Sequence, residues 1–306
     1  MAEFMFSYIA KSLSKRAGKL QQSITKRIQI APLLRSIPAD AVILEIGGGH
    51  NPRYVKTQHR NVYHLDHCST DELRAKFAAD PDVAHRVGNV QPIDFIFTGT
   101  PIETLMPPDL KFDLIYGSHV LEHQVDLIAH LQSLEKLLKP DGRVIEMIPD
   151  LRTCFDALRY PSVTSDALVV HLKRPAIHQG KQVFDGISRA LDKNLGHRMH
   201  RADFNGVRFS NGLQRAYDAM RASELPGQDY VDTHAWTFTP ESFRLLMIEL
   251  RLLGLIRLAP TFVSSQYGNQ FCAVLERTAL GLAGMSQKAR DGLERERLAL
   301  AVQLRV

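Results

Sequence analysis

The sequence predicts an α/β protein: an open, doubly wound, mostly parallel sheet with helices on both faces. Two stretches carry that prediction. Val42-Ile43-Leu44-Glu45-Ile46 lacks the hydrophobic-polar alternation of a sheet that faces water, so helices should cover both its faces. It runs into Gly47-Gly48-Gly49-His50-Asn51-Pro52, a turn where a ligand can approach bare backbone. Farther on, Phe112-Asp113-Leu114-Ile115-Tyr116 leads into Gly117, Ser118, His119, Glu122 and His123. That places a polar cluster at the C-terminal end of a strand, where open α/β sheets bind ligands.

The remaining elements follow in order. Gly47 and Gly49 supply two glycines of a dinucleotide fingerprint, but Pro52 stands where the third belongs, which argues against a pyrophosphate-bearing cofactor. Residues 62–66 read as a second strand ending in Asp66. An acid about 20 residues after the turn suits ribose hydroxyls; the competing reading is a helix N-cap. A third strand around residues 93–97 leads into Thr98-Gly99-Thr100-Pro101-Ile102. The fourth strand ends at Tyr116, with a helix expected from about Leu121. Residues 127–138 form an amphipathic helix, and residues 138–149 a helix stop, a turn and a fifth strand. Near the other end, Thr239 is an N-cap with Pro240 at the first helical position, launching a helix over residues 243–253 that Gly254 stops. Strands are expected at residues 255–258 and 270–275, and a helical tail over residues 279–306.

The glycine turn resembles motif I of the class I S-adenosylmethionine-dependent methyltransferases, an acid, one residue, then Gly-x-Gly, here Glu45, Gly47 and Gly49. Residues 112–123 are similar to that family's fourth motif in the form Phe-Asp-x-Ile-x-x-Ser-His-Val-Leu-Glu-His. Pro149-Asp150 with Arg152, Phe155 and Asp156, and then the stretch from His234 to Phe243, follow in the order of a bacterial branch often linked to surface-glycan biosynthesis. The resemblance covers residues 40–276. It implies a Rossmann-like sheet with a C-terminal antiparallel pair, and S-adenosyl-L-methionine as cofactor. It sets Glu45, Gly47, Gly48 and Gly49 at the cofactor's methionine portion, Asp66 at the ribose, Thr98 and Ile102 near the adenine, and Ser118 in the pocket. The family's adenine acid has no plain counterpart, Asp94 standing too early. Methyl transfer to a sugar or glycan hydroxyl is the implied reaction, with a lipid, small metabolite or amine acceptor, or an inactive scaffold, as alternatives.

Direct transfer from a sulfonium needs the acceptor held in line, and a hydroxyl also benefits from a base. His119, Asp150 and His234 are the candidates in that order. No metal ligand set is read. A zincin places its acid beside the first histidine, His-Glu-x-x-His, whereas His119-Val120-Leu121-Glu122-His123 places it beside the second, and Glu122 and His123 are read as shaping the pocket.

The chain of 306 residues, 44% hydrophobic, can bury one large core and a smaller addition. Its organisation reads as an N-terminal helical extension (1–36), a methyltransferase domain (37–276) with an acceptor-side insertion (150–235), and a C-terminal helical tail (277–306). The insertion is crowded with His171, Lys173, Arg174, His178, His197, Arg198, His200, Arg201 and Arg208, a set suited to an anionic or polyhydroxylated acceptor. A net charge of +5 is modest for this length, and no nucleic-acid partner is expected. In residues 4–35, Phe6, Ile9, Leu13, Leu20, Ile24 and Ile28 fall at helical spacing among lysines. Two readings stand, a helix packed on the domain or one touching a membrane surface or partner. The tail extends outward or makes a homodimer. The basic residues follow only a short apolar patch, the reverse of a secretory signal, and Cys68, Cys154 and Cys272 lack disulfide or metal spacing, so the cytoplasm is expected.

Overall fold

A computed structural model of the chain describes residues 30–35, 37–192, 206–279 and 281–305. The proposed N-terminal helix therefore lies almost wholly outside the described residues, as do His197, His200 and their neighbours Arg198 and Arg201.

The core is one seven-stranded sheet. After a short helix α1 (Ala31–Arg35) come β1 (Ile43–Ile46), β2 (Val62–Asp66), α2 (Thr70–Ala78), β3 (Phe95–Ile96) and β4 (Phe112–Ser118). Then follow α3 (Leu127–Leu137), β5 (Leu138–Pro149), α4 (Thr164–Lys173), α5 (Lys181–Ser188), α6 (Leu213–Ser223), α7 (Pro240–Leu252), β6 (Leu258–Val263), β7 (Gln270–Arg277) and α8 (Gln287–Gln303). The strand order is β3-β2-β1-β4-β5-β7-β6. The first five strands pair in parallel, and β7 runs antiparallel between β5 and β6. This is the mostly parallel, Rossmann-like sheet with a closing antiparallel pair.

All four residues of β1 are buried because each face has its own apolar layer. Leu44, Ile46 and Ile115 pack with Leu131, Leu134, Phe243 and Phe271 on one side, while Ile43, Leu114, Ile145 and Met147 pack with Tyr54, Ile30 and Val274 on the other. Trp236, fully buried, belongs to the first layer. Thr239 and Ser242 form the reciprocal cap at the start of α7, with Pro240 in its first turn.

Two boundaries move. The helix expected from Leu121 is only a 3-10 turn over Leu121–His123, and α3 starts at Leu127, where Asp126 caps it. The carbonyls that would have continued a helix go to tertiary partners: the Glu122 carbonyl accepts from the Trp236 N–H at 3.1 Å, and the Gln124 carbonyl from the Trp236 indole at 2.5 Å. Gly254, at φ +72°, ends α7, and the Arg257 N–H turns to the Glu135 carboxylate at 2.8 Å. The strand expected over residues 255–258 thus begins only at Leu258. The tail does form a helix, and α8 lies along α7 through the pairs Arg244–Glu296 and Arg297–Glu249.

Candidate active site

The chain leaves β1 for β2 and β3 on one side of the sheet and returns to β4 on the other. In open α/β sheets the ligand crevice lies where the strand order reverses, which here is outside the C-terminal ends of β1 and β4. The glycine turn lies there. Gly47 (φ +66°) and Gly49 (φ +49°) occupy the left-handed region, which side chains enter at a cost. A Cβ on Gly47 would stand 2.6 Å from the Val120 methyl, and one on Gly49 would stand 3.2 Å from the Phe77 ring. Glu45, an expected cofactor contact, stands in β1 just before the glycines. Its carboxylate is buried under the turn and accepts from the backbone N–H groups of Arg53 (2.6 Å) and Tyr54 (2.8 Å). Burial pushes it up to about 7 against those two donors. Glu45 shapes the loop that any ligand meets.

Asp66 ends β2 one position beyond the residue paired with Ile46. Its Oδ1 accepts from the His67 N–H at 2.8 Å and lies 2.6 Å from His67 Nδ1; Oδ2 has no hydrogen bond among the described residues. Thr98 is exposed just past β3. Ile102, expected at the adenine, is buried in the same core cluster as Leu127 and Leu131, at the start of the 3-10 turn over Ile102–Leu105. Asp94 holds Lys56 at 2.6 Å and the His64 N–H at 2.8 Å. Sequence reasoning passed over Ile96 and Phe97, which stand 44% and 37% exposed at the end of β3, with the Phe97 N–H on the Asp66 carbonyl. Two apolar side chains left in solvent beside a carboxylate were legible only as a strand.

At the end of β4 the backbone is strained. His119 has φ +56°, uncommon for a residue with a side chain and a feature that clusters at functional sites. Its N–H is held by the Met147 carbonyl at 2.9 Å and its Nε2 lies 2.7 Å from Gln270 Oε1. Ser118 precedes it, partly exposed, at the rim of the crevice. His234 reaches the same place from the far side of the insertion. Its Nδ1 lies 2.6 Å from Asp156 Oδ2, and Arg159 clamps that arrangement by donating to Asp156 (2.9 Å) and to the His234 carbonyl (2.6 Å). Burial works to raise Asp156, but His234 and Arg159 hold it below the usual carboxylate range.

Asp150, the second candidate base, follows β5 directly. Its carboxylate is fully buried, and both oxygens accept from Arg152, at 2.8 Å from Nε and 2.6 Å from Nη2. Oδ1 also takes the Arg152 backbone N–H at 3.0 Å, so the backbone and the guanidinium of Arg152 both face this carboxylate. The described members of the insertion's basic set have separate partners or surroundings. His171 pairs with Asp126 (2.9 Å), His178 is buried between the carbonyls of Val231 and His123, Arg174 caps α4 at φ +51°, and Arg208 is exposed.

One buried acid was missed. Glu146, in the middle of β5, is fully buried and neither carboxyl oxygen has a hydrogen-bond partner. A Cβ on the neighbouring Gly117 would lie 2.3 Å from it, so the glycine is what makes room. The signal was present in the sequence as a lone charge inside Val144-Ile145-Glu146-Met147-Ile148. Burial, with the Glu122 carboxylate adding to it, pushes Glu146 up to about 8. A carboxyl raised above its unfolded value favours folding fully below about pH 4.5, and that contribution is lost as pH climbs through 8. Glu146→Gln should therefore flatten the decline in stability across this window, by up to about 1.4 kcal/mol per pH unit. Urea melts at successive pH values check this; parallel curves for the two proteins would refute it.

The family described as a methyltransferase domain matches residues 1–250, and the chain belongs to it. The class is that of S-adenosylmethionine-dependent methyltransferases. No curated protein matches the chain in sequence. Among solved structures it is similar to the CcbJ methyltransferase from Streptomyces caelestis, at 12% identity over 81% of this chain and 88% of that one, TM-score 0.41. It is also similar to the mitomycin 7-O-methyltransferase MmcR, at 14% identity over 80% and 52%, TM-score 0.37. The trans-methyltransferase CalH, solved with SAH, matches at 18% identity over 37% and 33%, TM-score 0.27. The chain spans about a third to a half of the length of CalH and MmcR.

Proposed function

We propose that the protein transfers the methyl group of S-adenosylmethionine to a hydroxyl of a glycan or other polyhydroxylated acceptor, with His119 as the base. The observation that carries this reading is the contact of the glycine turn with the end of β4: Val120 fills the space over Gly47, so the residue before it, His119, stands beside the backbone reserved for the cofactor. Gly47 to Gly49 receive the methionine portion and Asp66 Oδ2 takes the ribose hydroxyls. Ile96 and Phe97 offer an apolar face to the adenine.

His119 is preferred to His234 because its side chain is 36% exposed against 9%. Gln270 fixes its tautomer: the Gln270 amide N–H donates to Tyr267 Oη at 2.8 Å, so Oε1 accepts from His119 Nε2–H and Nδ1 keeps its lone pair. In the reaction that lone pair takes the acceptor's hydroxyl proton as the oxygen attacks the methyl carbon. The carbon–sulfur bond breaks, its electron pair returns to sulfur, and neutral S-adenosylhomocysteine leaves. The site needs no reducing or oxidising partner, and free Cys68, Cys154 and Cys272 fit a cytoplasmic setting. No helix among the described residues is long and apolar enough to cross a membrane.

The test is incorporation of radiolabelled methyl into a crude surface-glycan fraction, alongside calorimetry with the cofactor. Binding together with label recovered in base-stable sugar ethers is the expected outcome. Absence of cofactor binding at high micromolar concentration would refute the methyl-transfer reading. Label found only in lipid, amine or small-metabolite fractions would refute the glycan acceptor while leaving the chemistry standing.

A further inference from the structure

Three imidazoles converge on one buried carboxylate. Glu122 is 1% exposed, and neither of its carboxylate oxygens has a hydrogen-bond partner. Against its Oε1 stand His119 Nδ1 at 3.6 Å, His234 Nε2 at 3.8 Å and His123 Nε2 at 4.0 Å. An orphaned carboxylate in the interior is costly unless something charged or hydrogen-bonding meets it.

The imidazoles are turned so that they do not supply that partner. His234 gives its Nδ1 to Asp156 at 2.6 Å and His123 gives its Nδ1 to Asp232 at 2.8 Å. In the neutral ring this sets the proton on Nδ1 and leaves the Nε2 lone pair facing Glu122. A histidine whose far nitrogen donates to a carboxylate is the usual arrangement around a metal ion, and it occurs twice here around one point. The ligand atoms of Glu122, His123 and His234 lie within 4.8 Å of one another. A cation with bonds of about 2.0–2.2 Å holds tetrahedral ligands about 3.4 Å apart, so side-chain shifts of up to about 0.7 Å per residue would close the set. The surroundings favour a cation as well, since Glu122, Asp156 and Asp232 bring three carboxyl groups against one guanidinium, Arg159.

We propose that Glu122, His123 and His234 bind one divalent first-row transition-metal cation, Zn²⁺ or a similar ion, with an open position bordered by His119. Two nitrogen donors disfavour Mg²⁺ and Ca²⁺, which prefer oxygen throughout. An open position beside the base is where an acceptor hydroxyl or water binds, and a cation there lowers the pKa of the bound oxygen. Sequence spacing within residues 119–123 gave no metal set because the third ligand, His234, arrives from the far end of the insertion.

Occupancy does not depend on methyl transfer, so it is read on the full chain without cofactor or acceptor. Chelator-stripped protein is titrated with Zn²⁺ by calorimetry and with Co²⁺ by visible absorption. One tight equivalent is expected, with the intense visible bands of four-coordinate Co²⁺. Glu122→Gln should weaken Zn²⁺ binding by at least 100-fold, and Asp156→Asn by about 10–100-fold through His234. Because Glu122 is buried, His123→Gln, at a half-exposed position, serves as a second ligand variant should Glu122→Gln not fold. His85→Ala and a paired His197→Ala, His200→Ala variant should bind as the wild type does. The proposal is overturned by no stoichiometric Zn²⁺ binding, by unchanged affinity in a folded ligand variant, or by loss of binding only in the His197, His200 variant. A sulfur-to-Co²⁺ charge-transfer band, which would put the ion on a cysteine, overturns it too.

Discussion

Gly47→Ala should reduce affinity for S-adenosylmethionine by at least about 100-fold, which is about 2.7 kcal/mol of binding free energy. Two effects combine. An alanine at φ +66° takes on about 1–2 kcal/mol of left-handed strain, and its methyl would sit 2.6 Å from Val120 Cγ2, closer than carbon atoms approach. Relief requires either flattening the turn, which withdraws the backbone from the crevice, or pushing Val120 away, which drags His119 with it. Gly48→Ala is the control. Its backbone is not in the left-handed region, and its added methyl meets Glu45 Oε1 at 3.3 Å, so a loss of under tenfold is expected. Calorimetry on the two variants, with unfolding melts to confirm that both are folded, separates the effects. Equal, wild-type affinity in both would mean that the cofactor lies elsewhere.

The contrast between Gly47 and Glu45 shows what the sequence can and cannot carry. A strand that is apolar at every position and then breaks into glycine records its burial and its turn locally, so β1, β2, β4 and α7 with its Thr239 cap were all readable. The direction in which a polar side chain points is recorded in its partners. Nothing local to Glu45 announces that the Arg53 and Tyr54 N–H groups take both its oxygens. Asp150 carries no local sign that Arg152, two residues on, folds back onto it. The helix expected from Leu121 fails for a related reason, since its carbonyls are claimed by Trp236 from a distant part of the chain. The pairing of Asp156 with His234 spans the whole insertion, so no local spacing could announce it. Glu146 was visible as an anomaly, a charge in an apolar strand, but its orphaned state depends on β4 offering Gly117 and nothing that donates.

His119→Asn should lower kcat by about 10²–10⁴-fold, the usual worth of a positioned base, while leaving affinity for the cofactor within a few-fold of wild type. Asparagine suits the position because it tolerates the left-handed backbone that His119 adopts at φ +56° better than most residues, and its amide can still donate toward Gln270. What it removes is the Nδ1 lone pair assigned to receive the proton. Asp150→Asn provides the comparison. Because that carboxylate faces Arg152 rather than the crevice, its replacement should lower thermal stability and leave kcat within about tenfold. If the base were Asp150, the two variants would exchange their effects on turnover. Were it His234, His119→Asn would retain near-normal kcat and Asp156→Asn would lose it, since an asparagine there cannot hold the imidazole as a carboxylate does. Single-turnover rates at saturating cofactor, measured for the three variants against wild type, therefore assign the proton to one imidazole or the other without requiring the acceptor to be the natural one.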